Sequence, residues 1–499
     1  MKARLGLCAV SVATAAMLAG ATSAGAQTPV PAVSKPIPVT ATSHPFGGAE
    51  YQLRPQRLGR EGYVEEEYLV SGTANVYTWP APGPAQVRTA GAPYTTRILV
   101  RRPKKARHAS GNVVVEMLNP SNLMDLNIGW ALSHEEFMRR GDTWVGITAK
   151  PIAVDALKRF DPERYASLSF ANPLPLTDPA NCTTVAADSS RTTENGLIWD
   201  INSQVGAWLK SEAKSNPLRG TVERLYGFGY SQTGGYLNTY VNAIHPLDVQ
   251  RNGRPIYDGY LIEVAGGAFV GLVPINPCEP APPVSDPRRQ IANVGVPVMR
   301  AMSQSDYLAG IASRRPDSDA PGDRYRHYEV AGAGHASPDE LYYSARPEDM
   351  VKAGRAVPPG ACNEGPRSRL SMSLATNAFF RNLDRWVRRG IAPPRADPIL
   401  VQNGAPVLDV HENVIGGVRS PYVDVPTATW FGRATGASFC FIAGWERPFD
   451  AAKLRALYPT HGNYVRKVIG STAQLVAERF VTREDGLELI REAARSDVP

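Results

Sequence analysis

Residues 224–237 read Arg-Leu-Tyr-Gly-Phe-Gly-Tyr-Ser-Gln-Thr-Gly-Gly-Tyr-Leu, and no other stretch restricts the fold of this chain as much. A short apolar run enters a pair of glycines, and a serine follows among small residues. Apolar positions then recur at helical spacing through Tyr236, Leu237, Tyr240, Val241 and Ile244. A strand that turns at once into a helix around a serine needs small neighbours, because the sharp turn strains the serine backbone. Gly229 and Gly234 supply them. The helix start behind the serine aims backbone N–H groups at any negative charge that develops there. Ser231 is the candidate nucleophile. The stretch departs from Gly-x-Ser-x-Gly at its fifth position, which is Thr233, with glycine one residue later. A dinucleotide-binding turn would open the same way at Gly227 and Gly229, but its third glycine is missing, since Gln232 stands there.

A serine hydroxyl is a weak nucleophile until a base takes its proton, so partners are expected downstream, an acid first and then a histidine. The segment from Ile291 to Asp306 reads as a strand (Val296, Val298, Met299, Met302) ending in a polar turn that carries Asp306. Tyr325 to His335 reads as a second strand, ending in a glycine-rich turn that carries His335. Open parallel sheets place function at the carboxyl ends of their strands, and Ser231, Asp306 and His335 all fall there. Glu263, near the end of the strand after the elbow helix, is the alternative acid. Asp306 also has a plainer reading as a helix cap. An oxyanion site needs two N–H donors. One is expected from Gln232. The other is expected from the loop after the strand Val113–Leu118, where Pro120 has no N–H and the donor is Asn119 or Ser121.

Several segments together resemble the secreted bacterial "alpha/beta hydrolase domain" proteins. They are Val114-Val-Glu-Met-Leu-Asn119, Thr143-Trp-Val-Gly-Ile-Thr148, Asp161-Pro-Glu-Arg-Tyr165, Trp199-Asp-Ile201, Gly229-Tyr-Ser-Gln-Thr-Gly234, Asp409 to Asn413, and Gly416-Gly-Val-Arg-Ser-Pro-Tyr-Val-Asp-Val-Pro426. The likeness runs from about residue 45 to the end. It implies an α/β-hydrolase fold, a mostly parallel sheet flanked by helices, with Ser231 as nucleophile and His335 as base. Relatives are expected to carry Glu two residues before the acid, and here that position is Gln304, which favours Asp306. The expected activity is that of a serine hydrolase cleaving carboxylic esters through an acyl-enzyme. The alternatives are a non-catalytic ligand-binding protein on the same scaffold, or an amidase, acyltransferase or lyase.

The N-terminus reads as a signal peptide over residues 1–26: Lys2 and Arg4, an apolar run from Leu5 to Leu18, then Ala24-Gly-Ala26. No later apolar run reaches the ~18 residues that a membrane span needs. The expected location is secreted or periplasmic. The net charge of +7 is modest. The basic run Arg101-Arg-Pro-Lys-Lys-Ala-Arg107 lacks interleaved aromatics and reads as a solvated turn between strands, not a nucleic-acid site. Beyond Cys8, four cysteines remain, Cys182, Cys278, Cys362 and Cys440, with no Cys-x-x-Cys spacing. Two disulfides are expected in an exported chain, with three connectivities open, and no metal or cofactor motif appears.

Residues 27–44 are expected to form a flexible lead, and 45–499 a single domain with insertions near 151–195, 274–290 and 336–370. Its first part, to about residue 110, reads as antiparallel strands (Tyr68 to Val70, Val76 to Trp79, Thr95 to Val100), and its last part as helices over Leu370–Arg389, Ala451–Leu457 and His461–Ala494. The insertion 151–195 lacks strong periodicity and is read as a lid over the site, with a packing insert as the alternative.

Overall fold

The computed structural model describes residues 27–182, 190–265, 273–283, 285–291 and 293–499. The expected signal peptide lies outside them. Ten strands form one sheet in the order β1-β2-β3-β5-β4-β6-β7-β8-β10-β9. They are β1 (Ala32–Val33), β2 (Tyr63–Thr78), β3 (Gln86–Pro103), β4 (Asn112–Leu118), β5 (Thr143–Thr148), β6 (Arg224–Tyr230), β7 (Gly259–Glu263), β8 (Val298–Ser303), β9 (Ser318–Ala320) and β10 (Asp323–Val330). From β5 through β4, β6, β7 and β8 to β10 every pairing is parallel, while β1, β2 and β3 join antiparallel at one edge and β9 at the other. This is the α/β-hydrolase fold with an antiparallel N-terminal lead-in.

The parallel strands are covered on both faces, so their residues are buried almost throughout, and the central ones carry runs of apolar side chains. On β4, Val113, Val115 and Met117 enter one core cluster, and Val114 and Leu118 the other. The first cluster packs against the helix Ile198–Leu209 and the elbow helix, the second against the helices Ile128–Arg140 and Ser373–Arg389. No described helix is long and apolar enough to cross a membrane.

Several expectations need correction. The two short strands read at 68–79 are one strand, β2, whose register with β3 shifts between Ala74 and Tyr77. A bulge breaks the alternation there and hides the continuity. The basic run is not wholly a solvated turn. Arg101 lies in β3, fully buried, ion-paired to Glu65 at 2.6 Å and set over the rings of Trp130 and Trp144. Residues 27–44 run along the sheet: β1 pairs with β2, and the Ile37 N–H donates to the Glu67 carbonyl at 2.8 Å. The C-terminal helix is two, His461–Ala477 and Arg483–Arg495, parted where Arg479 takes a φ of 69°. Residues 151–170 pack as a helix (Pro151–Phe160) and a core segment, with Phe160, Tyr165 and Phe170 buried in the first core cluster. The disulfides join Cys182 to Cys278 and Cys362 to Cys440.

Candidate active site

Ser231 stands between β6 and the helix Gln232–Thr239 with φ 57° and ψ −121°. A residue with a Cβ pays ~1–3 kcal/mol for such a conformation. Its N–H donates to the Glu263 carbonyl and its own carbonyl accepts from Gly235, both at 3.0 Å. A Cβ at position 229 would lie 2.4 Å from the Thr233 carbonyl oxygen, and one at 234 would lie 2.7 Å from the Ala265 Cβ. Only glycine fits either place. Thr233 is tolerated because the close approach falls one step later, and its hydroxyl is used. Oγ1 accepts from the Tyr230 N–H at 3.2 Å and donates to the Tyr230 carbonyl at 3.1 Å, hooking the first helical turn to the strand end.

Asp306 follows β8 and His335 follows β10, neighbouring parallel strands. The His335 Nδ1 lies 3.0 and 2.9 Å from Oδ1 and Oδ2 of Asp306. With its proton on Nδ1, the ring leaves Nε2 as the basic atom. Oδ2 also accepts from the Ser303 hydroxyl at 2.5 Å. The His335 backbone is held from both ends. Its N–H donates to Ser305 Oγ at 2.9 Å, and its carbonyl accepts from the Tyr230 hydroxyl at 2.7 Å. The Tyr230 ring meets the imidazole edge-on at 5.5 Å. Ser231 and His335 line one cavity. Among the described residues no hydrogen bond joins their side chains, a contact that commonly tightens only when substrate is bound.

Glu263 is placed elsewhere. Its carboxyl meets the Thr376 hydroxyl at 2.9 and 3.1 Å, on the helix Ser373–Arg389, and burial raises its pKa to about 8. It makes no contact with His335 among the described residues. Gln304 is structural: Oε1 accepts from the Gly332 N–H at 2.6 Å and Nε2 donates to the Trp430 carbonyl at 3.3 Å, tying the acid turn to the base turn.

The loop after β4 needs a correction. The Asn119 N–H donates to the Leu126 carbonyl at 2.9 Å, and the Ser121 N–H donates to Asn119 Oδ1 at 2.8 Å. Both expected donors are spent within the loop. The Asn122 N–H makes no hydrogen bond among the described residues, and Asn122 lines the cavity with Ser231. The loop is fastened to the elbow: Asn119 Nδ2 donates to the Tyr230 carbonyl at 2.7 Å, and Ser121 Oγ donates to the Gln232 side chain at 3.3 Å. Proline's lack of an N–H correctly removed Pro120. The asparagine turn that consumes the next donor depends on a side-chain conformation that spacing does not reveal.

About 70 Å³ of the cavity is open to water. Its walls include Leu126, Ile128, Leu341, Pro358, Phe439 and Ile442, with Glu340 and Arg367 among them. The insertion 336–370 thus supplies much of the cover. No described residue of 151–195 lines the cavity, and Phe160, Tyr165 and Phe170 of that segment pack in the core. Phe439, Ile442, Glu340 and Arg367 carried no sequence signal of their own.

No curated protein matches the chain. Among solved structures it is similar to an esterase of Rhizomucor miehei (9% identity over 58% of this chain and 81% of the other, TM-score 0.31). It is also similar to an alpha-beta serine hydrolase homologue from Coxiella burnetii (9%, 52% and 91%, 0.27). A third is a poly(3-hydroxybutyrate) depolymerase from Bordetella parapertussis (13%, 60% and 86%, 0.27). The family described as "Alpha/beta hydrolase domain" matches residues 33–491, nearly all of the described chain, and the protein belongs to that family of hydrolases.

Proposed function

We propose that the chain is a serine carboxylic-ester hydrolase. The observation that carries this reading is the double contact of His335 Nδ1 with the Asp306 carboxylate, made in the same cavity wall that presents Ser231 on a strained turn. His335 Nε2 takes the Ser231 proton as Oγ attacks the ester carbonyl. Asp306 holds the ring and stabilises the imidazolium. The N–H groups of Gln232 and Asn122 receive the oxyanion, each worth roughly 3 kcal/mol of barrier. His335 then gives its proton to the departing alcohol. A water attacks the acyl-enzyme with His335 again as base, and the acid leaves. The narrow, largely apolar cavity suits esters with a short acyl or alcohol part.

We also propose an exported location, secreted or periplasmic, after removal of residues 1–26. The two disulfides support it, since such bonds persist in oxidising compartments.

A fluorophosphonate tests the nucleophile. It should modify one serine, in a peptide spanning 225–240, and Ser231→Ala should abolish both labelling and turnover of short aryl esters. Labelling at another serine, or turnover surviving in Ser231→Ala, overturns the reading.

A further inference from the structure

The cavity beside Ser231 holds a charge that ester cleavage does not use. Arg367 follows the hairpin of Ala361–Cys362 and Gly365–Pro366 and lines the cavity. Only 6% of it is exposed. Its Nε and Nη2, which form one edge of the guanidinium fork, are buried with no hydrogen-bond partner. Glu340 is the acidic group near enough to act on it, but no ion pair joins the two among the described residues. Glu340 commits Oε2 to Ser337, accepting from the N–H at 2.8 Å and from the hydroxyl at 2.7 Å. Its Oε1 is buried and unpartnered too. Two residues with unsatisfied buried polar atoms therefore line one cavity.

Burying a guanidinium without a partner is costly, and such a group is expected where a ligand completes it. Burial lowers the Arg367 pKa and raises that of Glu340 to about 7, so Glu340 loses its charge readily. The cavity is then left with a cation in search of an anion.

We propose that Arg367 is a specificity residue that binds a carboxylate, and that the substrates are esters bearing a second, anionic carboxylate in the acyl or alcohol part. The Nε–Nη2 edge matches a carboxylate as a two-pronged fork. A protonated Glu340 donates from Oε1 to the same group. The fork is sealed from water, so the cavity wall must give way to admit the ligand, and the pair once formed is poorly screened. This inference rests on the proposed ester hydrolysis at Ser231.

The test is a ratio of kcat/KM between matched esters. One pair carries the charge on the acyl side, 4-nitrophenyl hemiglutarate against 4-nitrophenyl valerate. The other carries it on the alcohol side, 4-acetoxybenzoate against its methyl ester. The native enzyme should favour the anionic member of at least one pair by about tenfold or more. The ratio should fall towards one in Arg367→Gln, with Arg367→Lys between. A native ratio near or below one in both pairs overturns the proposal, as does a preference retained in Arg367→Gln. If Arg367→Gln does not fold, the native ratio and Arg367→Lys decide. If no ester is cleaved, calorimetric titration with glutarate and with 4-hydroxybenzoate separates the two ideas. Uptake of either by the native protein and not by Arg367→Gln keeps the carboxylate site while the esterase reading falls. Uptake of neither overturns both.

Discussion

Thr233 shows how a single residue can break a motif and keep its geometry. The space that demands glycine lies at Gly234, and the threonine hydroxyl closes a hydrogen-bonded hook on Tyr230 in return. The two acids divide along the same lines. Asp306 faces His335, and Glu263 faces Thr376 on the helix Ser373–Arg389. Asp306→Asn should cut kcat by a factor of the order of 10⁴, as loss of the orienting acid does elsewhere, with the far-UV spectrum unchanged. Glu263→Gln should cause no such loss. Its effect belongs to stability. With a folded pKa near 8 against an ordinary 4.5, Glu263 favours the folded state below about pH 4.5, and that contribution is lost as the pH rises to 8. Urea midpoints should therefore fall with rising pH in the native protein relative to Glu263→Gln, the gap widening across that window. A gap that stays constant with pH would mean the carboxyl is ionised throughout.

The elements that hold the candidate site are the less obvious ones. The run Gly416-Gly-Val-Arg lies against the end of β10. The Val418 N–H donates to the Glu329 carbonyl at 2.7 Å, and the Ala331 N–H donates to the Val418 carbonyl at 3.0 Å. This short added rung steadies the turn that leads to His335. Gly417 has a φ of 74°, and a Cβ there would lie 2.6 Å from the Glu329 oxygen. Gly417→Ala should cost about 1–3 kcal/mol and should lower kcat in the protein that remains folded. A loss of stability with kcat intact would show that the rung does not position the base. The Cys362–Cys440 disulfide is the matching brace for the cavity wall. It ties the hairpin before Arg367 to the turn Ser438–Ile442, which carries Phe439 and Ile442. Cys440→Ser should raise KM for short esters several-fold. Breaking Cys182–Cys278 should lower stability with little change in KM, because neither of its cysteines lines the cavity.

At the scale of the whole molecule, the proposed export is most open to direct test. On the proposed export, protein recovered from outside the cytoplasm should begin near Gln27 and, denatured without reduction, should show no free thiol, because Cys8 would leave with residues 1–26. Four reactive thiols would refute the paired state and the compartment together. The fold class was legible in the order of the chain, because parallel strands covered on both faces carry short apolar runs such as Val113–Val115 and Tyr260–Ile262. The strand-end positions of Ser231, Asp306 and His335 were legible for a related reason. Each follows a strand, and the turn at each strand end leaves its mark in glycines and polar residues. What the chain order concealed was set by contacts between distant segments. Arg101 reads as a solvent charge until Glu65, Trp130 and Trp144 close over it. Asn119 and Ser121 read as donors until the loop folds back and consumes their N–H groups. The cavity wall comes from 336–370 and the turn near Phe439, joined by a disulfide whose pairing left no trace in spacing. Local sequence determines where the backbone must turn and which side chain stands at the turn, because strain and periodicity act over a few residues. Which polar groups stay free, and which charges are left for a ligand to complete, is decided only when remote segments pack, because burial and partnership are properties of the assembled interior.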